Sequence, residues 1–259
     1  MPDLPSQPSN ELSPPGSLSL TSRLTNVFVS PSEVFDAVKT GKPNNANWLV
    51  PLCLSCLVGV LFSLVVFSED TILHAMREAQ ERPIQKQVAS GKMTREQADK
   101  ALEVMEKFRG PTVMKIMGSI GAVVTNVFMM FFVALILWLL GKVLFRGQLT
   151  YMQAVEANGL ATMINVVGGI ITMLVVVNTG NLMITPGPAL LIGEFSDKNL
   201  VHLSLTAINL VTLWYIAVLA IGLARLSGAS LVKATLCLFG LWAVLRCGAI
   251  FVQMKMTGA

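Results

Sequence analysis

Apolar residues in this chain gather into five long runs. The first is Trp48 to Phe67, without a charge. The second extends from about Thr112 to Leu140, with Lys115 at its start and Lys142 just past its end. The third covers about Tyr151 to Val177, with Glu156 near its start. The fourth, Leu203 to Ala224, is uncharged and closed by Arg225; the fifth covers about Leu231 to Val252 and contains Lys233 and Arg246. Periodicity cannot separate a membrane span from a helix buried in a globule, but length can. A helix crosses a bilayer with about 20 apolar residues, so the pattern predicts five transmembrane helices in an all-α, polytopic membrane protein.

The segments between the runs carry their own pattern. Residues 1–19 hold Pro2, Pro5, Pro8, Pro14 and Pro15 among serines, which predicts a disordered tail. No basic start followed by an apolar core occurs there, so no cleavable signal is expected and the first span should direct insertion. Residues 20–43 read as amphipathic interfacial helices. Leu20, Leu24, Val27 and Phe28 recur at helical spacing, and Ser30-Pro31-Ser32-Glu33 offers a capping box to a helix with Val34, Phe35 and Val38 on one side. Their apolar sides rest in the headgroup layer or pack against the spans. Residues 44–255 then form the membrane domain.

Residues 68–111, between spans one and two, read as an extramembrane helical hairpin. Its first helix runs from Glu69 to Arg82 and is interrupted at Pro83, with a short piece on to Ala89. Ser90-Gly91-Lys92 turns the chain, Thr94 and Gln97 form a capping box, and Ala98, Ala101, Leu102, Met105 and Phe108 line one side of the second helix. The loop at 178–200 is rich in Gly and Pro yet apolar, and it either dips into the interface or forms a short helix from Pro188.

Composition and charge sharpen this picture. Apolar residues make up 53% of the chain and charged ones 13%, with a mean hydropathy of +0.65. The hairpin alone holds eight basic and eight acidic residues, leaving 18 charges for all the rest. A water-soluble surface needs charge all over it, so a soluble globule is excluded. The net charge of +4 does not indicate nucleic acid, because the basic residues stand singly at the ends of apolar runs. Arg23, Lys39, Lys42, Lys142, Arg146, Arg225 and Lys233 fall on one side of a five-span protein. By the positive-inside rule that side is cytoplasmic, with the N-terminus inside and the C-terminus outside. The eight basic residues of the hairpin then lie outside, against the rule.

Little in the sequence suggests a reaction. Cys53 and Cys56 form a C-x-x-C, but inside an apolar run with no charge to stabilise a thiolate; Cys237 and Cys247 also lie within runs. His74 and His202 lack further ligands at metal spacing. No hydrolase, zinc-protease or phosphate-loop motif occurs. We therefore expect a non-enzyme with no catalytic residue, metal or cofactor. The candidates worth weighing are polar groups inside the spans, since each costs free energy in hydrocarbon. Glu156 is the only acid within a run, and Lys233 or Arg225 could pair with it. Arg246 lies toward the opposite interface, within reach of Glu194 or Asp197. Asn126, Asn165 and Asn209 sit in three different spans, where amides seek one another. Gly168-Gly169 is the one place where a span could break around a ligand.

The lead-in Val27-Phe28-Val29-Ser30-Pro31-Ser32-Glu33-Val34-Phe35 comes before five spans. Leu213-Trp214-Tyr215 through Ile221-Gly222-Leu223-Ala224 follows, then Ser227-Gly228 and a basic residue in the next helix. Over roughly residues 20–255 this resembles the Yip family, the Ypt/Rab-interacting membrane proteins, in its bacterial branch. Eukaryotic members act in vesicle traffic and bind Rab GTPases; their Asp-Leu-Tyr-Gly-Pro-type motif is absent from this sequence. The resemblance implies a multi-pass protein of a bacterial cytoplasmic membrane rather than a reaction. The expected function is a non-enzymatic organiser or adaptor that binds other membrane proteins or lipids through the lead-in and the hairpin, with self-association left open. The alternative is a small-solute or ion permease, which requires Glu156, Asn165 and Asn209 to converge on a cavity.

Overall fold

A computed structural model describes residues 18–107, 110–192 and 199–257 of the chain. These residues contain no strand and ten α-helices: α1 Leu20–Asn26, α2 Pro31–Thr40, α3 Ala46–Val66, α4 Asp70–Ala89, α5 Arg95–Lys107, α6 Pro111–Leu139, α7 Tyr151–Thr179, α8 Leu200–Ala207, α9 Leu210–Ser227 and α10 Leu231–Thr257. Five of them, α3, α6, α7, α9 and α10, are long and apolar enough to cross a membrane, α6 being extended by a π-type turn over Leu140–Leu144. The fold is all-α with five candidate spans.

Helix α7 is central and packs on α3, α6 and α9, while α10 is peripheral, against α9 and α8. Small residues set these contacts, because in lipid only close backbone approach and polar bonds favour helix pairing. Gly159 meets Trp48 and Gly169 meets Val58, so α3 and α7 run parallel. Gly59 meets Ala122 and Gly118 meets Phe67, so α6 runs antiparallel to α3. The Gly168-Gly169 pair is therefore packing surface, and α7 passes through it unbroken.

The interruption lies in span four instead. The run from Leu203 to Ala224 is not one helix: α8 ends at Ala207 and α9 begins at Leu210. Asn209 accepts from the backbone N–H groups of Val211 (2.9 Å) and Thr212 (3.2 Å), making it an N-cap. The preceding loop seals the break. Leu210 N–H donates to the Pro186 carbonyl (2.9 Å), and Thr185 Oγ1 donates to the Thr206 carbonyl (3.2 Å). Gly187 lies so close to the Ile208 carbonyl that any Cβ would collide with it. Among the described residues of the loop a 3₁₀ turn forms at Pro188–Leu191.

Two local expectations are corrected. Pro83 does not end its helix; α4 runs on to Ala89. Both Pro83 and Ala79, whose carbonyl loses its partner, are exposed, so water can serve that group. Ser30 makes no side-chain cap, because its backbone is not turned for capping, and the N–H that Glu33 would take to complete the box instead closes α1 on the Asn26 carbonyl (2.7 Å). The Thr94–Gln97 capping box forms with both bonds, at 3.0 and 3.2 Å.

Candidate functional site

The hairpin is rooted in the bundle by its first turns. Ile72 is buried with Val66 of α3 and Val176 of α7, and Met76 and Leu182 close over them. Beyond this root, α5 packs on α4 alone among the element pairs with substantial contact. Both helices are stabilised along their wet sides by i, i+4 ion pairs, Glu78–Arg82 (2.9 Å) and Glu96–Lys100 (2.8 Å). Each such exposed pair contributes only about 0.3–0.5 kcal/mol. Between the helices a crevice of about 430 Å³ remains unfilled, walled by Ile84, Val88, Ala98 and Leu102 with Arg95 and Asp99 at the rim. Phe108, expected on the same side, lies outside the described residues.

At the opposite end of the bundle, the apolar side of the lead-in is covered by the spans. Val27, Val34 and Phe35 are fully buried. Phe28 stacks edge-on against Trp214 (5.7 Å), Phe35 presses on Gly222, and Asp36 pairs with Arg225 (3.4 Å). These contacts advance in the same direction along both helices, from Trp214 to Arg225 over about 16 Å of α9. So α2 lies alongside a span. Lys39 completes the join by donating Nζ to the Arg225 carbonyl (2.8 Å), a cation on the C-terminal turn of α9.

Glu156 is buried in α7. Its carboxylate accepts from Asn47 Nδ2 (2.6 Å) and from the Asn44 backbone N–H (3.2 Å), both at the start of α3. The Arg23 guanidinium, itself buried and tied to the Leu18 carbonyl (3.1 Å), lies within electrostatic reach. The expected partners are elsewhere: Arg225 holds Asp36, and Lys233 is exposed on α10. The correction has a simple cause. The lead-in and the start of α3 occupy the places beside Arg225 and Glu156, the lead-in bringing the charges of Arg23 and Asp36 and the start of α3 the donors of Asn44 and Asn47. Arg246 is exposed on α10; its expected partners Glu194 and Asp197 lie outside the described residues.

The three span amides do not meet. Asn126 of α6 accepts from the Ser55 hydroxyl of α3 and donates to the Ala122 carbonyl (2.8 Å). Asn209 is used as the cap of α9, and Asn165 lines a cavity without reaching either. Asn126 thus joins two helices, and the amide that joins three is one that sequence reasoning missed, Asn158. It is buried, donates Nδ2 to the Met130 carbonyl of α6 (2.8 Å), and accepts from the Tyr215 hydroxyl of α9 (2.5 Å). Thr162 donates to its carbonyl one turn on (2.8 Å). A signal was present: Asn158 lies one residue from Gly159, on the stretch of α7 that carries Glu156. Replacing Asn158 by leucine strands the Tyr215 hydroxyl and should destabilise the protein by about 2 kcal/mol. Denaturation in graded sodium dodecyl sulfate reads this, and a loss no larger than that of Asn178→Leu, at the exposed end of α7, would refute the assignment.

Glu156, Asn165 and Asn209 thus occupy three separate environments among the described residues, an arrangement that does not favour solute transport. No group of three or more metal-binding side chains occurs among the described residues, and the four cysteines are free. Compared with known proteins, residues 25–252 match the sequence model of a family described as Yip1 domain. No curated protein and no solved structure matches the chain.

Proposed function

The chain belongs to the Yip1 domain family, and from that premise we propose that this multi-pass integral membrane protein is a non-enzymatic organiser, an adaptor that holds another membrane protein through its extramembrane hairpin. The observation that carries this reading is the hairpin's open crevice. An αα-hairpin with no outside partner closes its apolar sides on each other. Here α4 and α5 leave Ile84, Val88, Ala98 and Leu102 around a space large enough for the side chains of a third helix. Alternating charge along the outer sides keeps the hairpin in water, while the root at Ile72 fixes its direction. The ligand that fits is an amphipathic helix, with apolar side chains at i, i+3 and i+4 and opposite charges to meet Arg95 and Asp99 at the rim.

In this reading residues 1–19 are a tail, residues 20–43 a brace that docks on α9, and 44–255 the membrane domain carrying the hairpin. The lead-in contributes less to partner binding than its amphipathicity suggests, because its apolar side is already covered. The basic residues around the starts of α3, α7 and α10 support a cytoplasmic N-terminus, hence a C-terminus and hairpin outside, in a bacterial cytoplasmic membrane.

Photo-crosslinking in native membranes tests the proposal. A photoreactive residue at position 88 or 102 should trap one discrete protein, and position 78, exposed on the wet side of α4, should trap it several-fold less. Leu102→Glu should abolish the adduct while the protein remains in the membrane at normal abundance. Equal labelling at all three positions, or an adduct that survives Leu102→Glu, would overturn the adaptor reading.

A further inference from the structure

Helices α6 and α9 both pack on α7 and meet each other chiefly at one end, where the π-type turn that extends α6 lies against α9. The cleft between them holds two adjoining cavities. The inner one, about 220 Å³, is lined by Asn126, Asn158, Thr162, Asn165 and Tyr215 set among Leu52, Met129, Met130 and Val133. The outer one, about 190 Å³, is walled by Leu137, Leu219, Leu238, Leu241 and Trp242 of α6, α9 and α10. Val133 and Tyr215 line both, so an apolar groove opens onto a polar pocket. Neither cavity is lined by a charged side chain.

The polar groups are not all used. Asn158 and Tyr215 hold each other. The Asn165 amide has no hydrogen-bond partner among the described residues, although it can offer two donors and an acceptor. The Trp242 indole N–H, in the wall of the groove, is buried without an acceptor. In hydrocarbon an unmade polar bond is costly, so both groups call for an oxygen-bearing occupant.

Depth restricts what that occupant is. Tyr215 stands about 18 Å along α9 from Ser227, near the middle of a bilayer whose hydrocarbon is about 30 Å thick. A phosphate brought there with no Lys or Arg lining the site would carry a prohibitive desolvation cost. An uncharged head that donates and accepts would not. We propose that the α6–α9 cleft binds a neutral, hydroxyl-bearing glycerolipid of the diacylglycerol class. Its hydroxyl meets Asn165 and the rim of the Asn158–Tyr215 pair, an ester carbonyl accepts from the Trp242 N–H, and one acyl chain lies along Leu219 and Leu241. Together the cavities reach the size at which small-ligand sites begin, about 300 Å³. That accommodates the head and part of one chain, and the remainder stays in the bilayer.

Trp242 provides the probe. In protein carrying Trp48→Phe, Trp138→Phe and Trp214→Phe, it is the only tryptophan left. Reconstituted in phosphatidylcholine vesicles, this protein should be quenched saturably by a chain-brominated diacylglycerol at a few mole per cent. Chain-brominated phosphatidic acid should quench only in proportion to its mole fraction. Asn165→Leu should raise the half-quenching concentration of the diacylglycerol about tenfold, and Leu219→Phe, which fills the groove, should remove saturation. Proportional quenching by both lipids, or an Asn165→Leu titration that overlays the parent, would overturn the site. So would a crosslink from position 241 to another membrane protein in place of saturable quenching, which would assign the cleft to a partner helix. Should the triple replacement not fold, native mass spectrometry of the unmodified protein with unlabelled diacylglycerol replaces it; a retained adduct lost on Asn165→Leu supports the site, and no adduct overturns it.

Discussion

Gly159→Leu should abolish the folded protein, or leave it less stable by about 3 kcal/mol or more. At this position α7 and α3 approach backbone to backbone. A Cβ on residue 159 would fall on the Trp48 Cα and lie 2.8 Å from the Asn47 carbonyl oxygen. Neither obstacle is a side chain that can rotate away, so α3 must move. The Asn47 carbonyl takes no i+4 helical hydrogen bond, because Pro51, four residues on, has no N–H. Moving α3 would also pull Asn47 from Glu156, which lies one turn from Gly159. Accumulation in membranes and the detergent midpoint measure the effect. The control is Gly121→Leu on α6, where a Cβ meets nothing within 4 Å and the change should be near neutral. Equal behaviour of the two variants would show that α3 and α7 do not pack through Gly159.

Glu156→Leu should be nearly as damaging, with an expected loss of about 2–4 kcal/mol. The substitution leaves the Asn47 amide and the Asn44 N–H facing an apolar side chain in a buried site, and takes a negative charge from the surroundings of Arg23. Glu156→Gln should cost less, since an amide oxygen can still accept one of the two bonds. The decisive comparison is a pair of double-mutant cycles. Glu156 and Asn47 should be coupled by 1 kcal/mol or more, on the order of a hydrogen bond to a charged group, and Glu156 and Lys233 should show about none. Coupling to Lys233 instead would restore the pairing that charge spacing alone suggests, and would place α10 against α7.

The difference between those two pairings illustrates how far one-dimensional reading extends here. Glu156 was identifiable as a buried charge because an acid inside a run of twenty apolar residues has nowhere else to go. Its partner was not, because polar groups in lipid bind whatever neighbouring helix brings within about 3 Å, and sequence distance says little about that. The lead-in shows the same limit from another direction. Its amphipathic spacing fits a headgroup layer and a helical bundle equally well, and Phe35 fits against Gly222 because α9 has no side chain there. Asn209 looked like the other span amides until the chain was seen to bend at that residue, where a short side-chain oxygen is worth more as a cap than as a bridge. Asn158 went unnoticed because its one signal, a neighbouring glycine on the stretch of α7 that carries Glu156, does not say which helices its amide will meet.

By itself, the sequence determined that five stretches are solvated by lipid, that a charged helical hairpin stands outside them between the first and second, and that the chain carries the pattern of its family. These follow from length, hydropathy and turn residues, which act within a few residues of chain and do not depend on what lies across the bundle. Only the tertiary structure decided that α7 is central, that Asn44 and Asn47 hold Glu156, that span four is broken at Asn209, and that a cleft with a polar floor separates α6 from α9. Each of these depends on which helices come within contact distance. In a membrane that choice is made by small residues and single hydrogen bonds, because lipid satisfies every apolar face equally and hydrophobicity no longer selects among them.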